Sequence, residues 1–192
     1  MSDKNALTER GRALEDEYFR KKDRELIEKL RRAAAAAQAQ RDMGAKAGLD
    51  EPEMLRELQA LGFTADTVSL LPFVPLVQIA WAEGGVTGAE RELIVQLART
   101  RGIAEASDAD RQLATWLTSR PDADVFTRAT RLIRAVLDAP PPVEPHVTAD
   151  DLIGYCERIA AASGGILGIH RVSAQERALL AEIAAKLKGR SS

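Results

Sequence analysis

The sequence predicts an all-α fold: a helical bundle of about seven helices built from two related helical hairpins, with a long charged helix at the amino terminus. Three observations carry this expectation. The composition is rich in alanine and only 4% aromatic, which favours helices over a sheet-built core. Apolar residues recur at helical spacing in one segment after another. A helical-hairpin pattern also occurs twice along the chain, once on each side of a proline-rich stretch.

The elements follow in order. Between Asp3 and Arg32 there are 10 basic and 8 acidic side chains in 30 positions, then the run Ala33 to Ala37. Nearly every residue is a good helix former, and Glu25 with Lys29 and Glu28 with Arg32 have the i, i+4 order that supports an exposed helix. The apolar positions form a narrow stripe: Leu14, Tyr18 and Phe19, Leu26 and Ile27, and Leu30. Such a stripe suits a partner groove or a homodimer through this helix. Residues 1–48 are thus expected to be a charged helical arm, and 49–192 a bundle.

Asp50 is expected to cap a short helix that starts near Pro52, carries Met54, Leu55, Leu58 and Leu61, and ends at Gly62. A buried helix then runs to about Glu83, with Pro72 in a first turn and the regular helix beginning at Pro75. The uncharged stretch Thr67 to Ala82 is 16 residues long, short of the roughly 20 needed to cross a bilayer. Helices follow at about 88–101, 107–119 and 122–138. Pro140, Pro141, Pro142 and Pro145 make 139–147 an extended connector, and two helices close the chain at about 149–163 and 174–188.

The repeat spans that connector. Ile79-Ala80-Trp81-Ala82-Glu83-Gly84-Gly85 corresponds, 80 positions later, to Ile159-Ala160-Ala161-Ala162-Ser163-Gly164-Gly165. Val86-Thr87-Gly88-Ala89-Glu90-Arg91 corresponds, 86 positions later, to Val172-Ser173-Ala174-Gln175-Glu176-Arg177, because Ile166 to Arg171 are inserted. Gly84 and Gly164, or the glycines after them, can take the left-handed conformation that ends a helix. Thr87 with Glu90, and Ser173 with Glu176, have the spacing of capping boxes. Ile79, Leu93, Ile94 and Leu97, matched by Ile159, Leu179, Leu180 and Ile183, give each hairpin an apolar face to bury against the other.

Residues that carry chemistry are few. The net charge is −2, so no overall field draws the protein to nucleic acid. One cysteine and two histidines exclude a disulfide framework and a His/Cys zinc cluster. Cys156 shares a helix face with Leu152 and Ile159 and is expected in the core. His146 and His170 stand in the connector and the insertion, with no nucleophile pattern beside them; no enzyme is expected. Ala98-x-x-x-Gly102 imitates a DNA-reading turn, but Asp108 and Arg111 occupy positions that motif keeps apolar. Gly164, Gly165 and Gly168 lack the Lys-Ser/Thr of a phosphate loop. Glu83 and Glu90 around the glycine turn offer oxygen ligands to Ca²⁺ or Mg²⁺, the basis of a metal-sensor alternative; no other cofactor is expected. No apolar leader follows the polar Met1 to Glu9, so the expected compartment is the cytoplasm.

Two resemblances extend this reading. Ala80, Ala82, Glu83, Gly84, Val86, Glu90 and Arg91, echoed at Ala160, Ala162, Gly164, Val172, Glu176 and Arg177, are similar to the signature of the tellurite-resistance TerB-like family, over roughly residues 65–190. The family's usual Asp is Glu83 here, and the second copy has Ser163. The resemblance implies an all-helical, non-catalytic interaction or scaffold module in a bacterial stress response, peripheral to the inner membrane, with protein partners. Glu15-Asp16-Glu17-Tyr18-Phe19-Arg20, with Ile27, Leu30 and Arg31, resembles the inserting helix of the mitochondrial ATPase inhibitor protein. That resemblance implies, as an alternative, a regulator that inserts its amino-terminal helix into an ATPase or other assembly. The partner surface expected from both comprises Tyr18, Phe19, Arg20, Ile27 and Leu30 on the arm and Glu83, Gly84 and Gly85 at the turn.

Overall fold

The computed structural model describes the backbone of residues 2–138, 147–162 and 172–189, and within these ranges the side chains of residues 15 and 17 onward. Every element among the described residues is helical. The proline connector with His146, and the stretch from Ser163 through Gly164, Gly165, Gly168 and His170 to Arg171, lie outside the described residues.

Two compact units divide the chain, residues 1–39 and 40–192. The described residues of the first are all helical and belong to α1, Ser2–Ala47. Its charged side chains pair along the helix: Arg32 with Glu28 at 2.9 Å, and Lys22 with Glu25 at 3.5 Å. Glu25 therefore turns back to Lys22, three positions before it, rather than forward to Lys29.

The second unit starts at residue 40, nine positions before 49, because the last turns of α1 carry a core residue, Met43. Beside it Gly44 lets α1 end tightly: its carbonyl accepts the Leu49 N–H at 3.1 Å. The short helix α2 is Pro52–Ala60. Its N-cap is Glu51 and not Asp50, and the Glu51 side chain makes no capping bond. Proline at the first position removes one of the donors that a cap would otherwise satisfy. Gly62, at φ +84°, ends the helix as expected.

The apolar stretch that follows is split. Val68–Phe73, containing Pro72, forms a 3-10 helix, and α3 begins beside Pro75 at Val74 and runs to Ala80. The remaining helices are α4 (Gly88–Thr100), α5 (Asp108–Thr118), α6 (Ala123–Asp138), α7 (Ala149–Ala162) and α8 (Ala174–Leu187). Among the described residues α2 to α8 make seven α-helices, in line with the number expected of the bundle. Leu58, Leu76, Ile79, Ile94, Leu113, Leu132, Leu152 and Ile159 are among its fully buried side chains.

The duplicated hairpins form its centre. α3 packs on α7, α4 packs on α7, and α8 packs on α3, so the pattern is unchanged when the hairpins are exchanged. Ile79 and Ile159 are both buried, as are Ala80 and Ala160, and Leu76 and Cys156. The correspondence loosens in the second helices. α4 buries Glu90, Ile94 and Ala98, whereas α8 buries Glu176, Ile183 and Leu187. Ile94 and Leu180 therefore do not occupy equivalent surroundings. The cause is a second neighbour: α8 also packs against α6, which draws a different stripe of its surface inward.

Candidate functional site

The proposed partner surface falls on both units, and each part is built by local rules. On the first unit, five large apolar side chains are exposed within 13 positions: Tyr18 57%, Phe19 61%, Leu26 56%, Ile27 48% and Leu30 60%. At about 100° per residue they fall on one half of the helix circumference. Tyr18 and Phe19 meet edge to face with ring centroids 5.9 Å apart, and the Lys22 ammonium lies 5.8 Å from the Tyr18 centroid. Arg20 is exposed beside them, and its carbonyl accepts the Arg24 Nε–H at 3.2 Å.

On the second unit, Glu83, Gly84 and Gly85 form the exposed turn between α3 and α4. Gly84 has φ +89°, and its N–H donates to the Trp81 carbonyl at 3.1 Å. Two side chains that flank the turn hold it to the end of α5. The Trp81 indole N–H donates to the Trp116 carbonyl at 2.8 Å, and the Arg91 guanidinium donates to the Leu117 carbonyl. Both carbonyls belong to the last turn of α5, whose backbone acceptors lack partners within their own helix. Arg91, conspicuous in the sequence as part of a motif, is thus positioned as a helix-end cap.

Glu90 lies inward of the turn and is only 2% exposed. Its Oε2 accepts the Thr87 N–H and the Thr87 hydroxyl, both at 2.7 Å, while its own N–H donates to Thr87 Oγ1 at 3.3 Å. Ser173 and Glu176 repeat the box, with the Ser173 N–H to Glu176 Oε2 at 2.7 Å and the Glu176 N–H to Ser173 Oγ at 3.1 Å. Both capping boxes expected from the spacing are present.

Burial pushes the Glu90 carboxyl above its ordinary range; the Thr87 bonds oppose this, and the negative charges of Glu176 and Glu83 add to it. The three carboxylates of the duplicated motif therefore share one electrostatic neighbourhood. Among the described residues, however, no group of three or more His, Cys, Asp or Glu converges as ligands. One Glu90 oxygen is committed to Thr87, so a cation at Glu83 and Glu90 would compete with the cap.

Cys156 is fully buried, as its helical position predicts, and burial pushes its thiol up to about 12, which leaves it unreactive. Arg101 and Tyr155, 54 positions apart, meet in the bundle without any motif in the sequence to announce them. The guanidinium donates to the phenol oxygen and lies over the ring, 5.3 Å from its centroid. No local spacing links such a pair. Among the described residues no helix is long and apolar enough to cross a membrane. In comparisons with known proteins, the chain matches no family model, no curated protein and no solved structure.

Proposed function

We propose that the chain is a non-catalytic interaction module that presents its amino-terminal helix to a protein partner, in a bacterial stress response of the tellurite-resistance kind. The observation that supports it is the stripe of Tyr18, Phe19, Leu26, Ile27 and Leu30, each about half exposed. Single exposed apolar residues are ordinary, but a row of five on one helix face is a surface for a groove. Full burial of such a side chain contributes about 1.5–3 kcal/mol, so a partner that covers the stripe gains several such contributions.

The stress-response part rests on the TerB-like residues Ala80, Ala82, Glu83, Gly84, Val86, Glu90 and Arg91. The same arm supports a second reading, insertion into an ATPase or other assembly, because α1 is an uninterrupted helix of 46 residues.

The test is co-purification with the full chain and with a Tyr18→Ala, Phe19→Ala double variant. The expected result is a defined set of partners kept by the native chain and lost by the variant, with bundle melting unchanged. Retention of the same partners by both would refute the arm as the binding element. An ATPase subunit among the lost partners would select the second reading.

A further inference from the structure

We propose that the bundle binds a small carboxylate with an apolar tail, such as a fatty acid, in a cavity between the 3-10 helix, α4 and α7. The site is independent of the arm and of the partner reading above.

The cavity measures about 400 Å³, inside the range of pockets that hold small ligands. Phe73, Leu76, Leu97 and Leu152 supply an apolar wall, and Arg101 and Tyr155 supply the polar end. Thr100 also lines it, but its hydroxyl already donates to the Leu97 carbonyl at 2.8 Å. No acidic side chain is among the described lining residues. A neighbouring hollow of about 140 Å³ shares Leu97, Thr100 and Tyr155 and is also lined by Arg158.

Arg101 differs from the arginines of the bundle that are spent on carboxylates, and from Arg56 and Arg91, which donate to the Pro52 and Leu117 carbonyls. Arg99, Arg111, Arg128, Arg131 and Arg134 each pair with a carboxylate. Among the described residues Arg101 has no such partner; it meets only the hydroxyl and ring of Tyr155. The hairpin does not require a cation here either. The position 86 residues later is Leu187, buried in the core, so the same place in the second copy is apolar.

The Tyr155 hydroxyl accepts from Arg101, which leaves its own proton without an acceptor among the described residues. The remaining guanidinium N–H groups and this O–H are therefore unspent donors beside the apolar wall. A single cation with one hydroxyl matches a monocarboxylate, which accepts from both. The apolar wall then takes the tail, whose transfer from water drives binding.

Isothermal titration of the full chain with decanoate, 1-decanol and decylammonium, all below their aggregation concentrations, tests the proposal. Saturable one-to-one binding of decanoate is expected, with decylammonium excluded. Arg101→Gln is expected to weaken decanoate binding about tenfold, as befits loss of a charged hydrogen bond, and to leave decanol unaffected. Tyr155→Phe serves as a second variant, with a smaller loss. Melting curves establish that each variant is folded. Failure of decanoate to saturate, equal binding of decylammonium, or unchanged decanoate affinity in both folded variants would overturn it.

Discussion

Glu90 and Glu176, 86 positions apart, hold the same place in two capping boxes, and the charge of Glu176 helps to push the Glu90 carboxyl above its ordinary range. Both are buried, at 2% and 0% exposure. Buried carboxylates are costly unless their oxygens are bonded, and here each accepts the N–H of its own cap residue. No described buried side-chain nitrogen or oxygen lacks a hydrogen-bond partner. Duplication of the hairpin thus carries an electrostatic consequence, because two acidic caps brought together across exchanged helices repel.

That repulsion and the burial predict a pH dependence of known sign. Glu90 has a folded-state pKa raised above its ordinary 4.5, so the native state holds the proton more tightly than the unfolded chain does. Stability from this group is greatest below 4.5 and falls as pH rises through the raised value. The melting temperature of Glu90→Gln minus that of the native protein is therefore expected to increase between about pH 4 and pH 7. A flat or falling difference would contradict the assignment.

Glu57 is expected to behave oppositely. Burial pushes its carboxyl up, but hydrogen bonds and charges from Arg131 and Arg128 bring it below 4.5, and Arg128 Nε lies 3.0 Å from its Oε1. Its contribution is present above the ordinary value and is lost as pH falls through the lowered one. Glu57→Gln is expected to cost about 1 kcal/mol near neutral pH, a value discounted for the exposure of Arg131, and almost nothing in acid. Denaturant titrations at the two pH values measure it.

Gly44 sits inside α1, where alanine is ordinarily better by about 1 kcal/mol. A Cβ there would lie 2.6 Å from the Leu49 carbonyl oxygen and 3.2 Å from Leu55 Cδ1. Backbone must shift to admit it, so Gly44→Ala is expected to destabilise the protein by about 1–3 kcal/mol, against the helix scale. Urea unfolding reads this directly.

Ala106 carries a positive φ of 57°, held by the Asp110 carboxylate accepting its N–H at 2.8 Å. A left-handed alanine is strained by about 1–2 kcal/mol, and glycine relieves this at some cost in unfolded-state entropy. Ala106→Gly is expected to raise stability slightly, by up to about 1 kcal/mol. A loss of stability in thermal melts would show that the strain argument fails.

What was legible in the sequence is what neighbouring residues decide. Helix limits came within a few positions because Thr87, Ser173, Gly62 and Gly84 act on backbone groups one turn away. Both capping boxes could be read for the same reason. The exceptions depend on distant packing. Leu180 looked equivalent to Ile94 until α6 drew another face of α8 inward. Met43 looked like part of the arm because composition changes only after it. Arg101 meets Tyr155, and Trp81 meets Trp116, through tertiary geometry that leaves no periodic trace. Of the expected partner surface, the exposure of Tyr18, Phe19, Ile27 and Leu30 followed from a charged helix with a thin apolar stripe. The role of Arg91 at the end of α5 did not follow from its motif.

The central claim, that the apolar face of the arm meets a partner, is tested most directly by site-specific photo-crosslinking in cells. A benzoyl-phenylalanine at Phe19 samples the stripe; one at Glu28, nine positions on and half a turn round the helix, samples the opposite face. A discrete crosslinked protein is expected from position 19, and none from position 28. Equal crosslinking from both faces, or from neither, would contradict it.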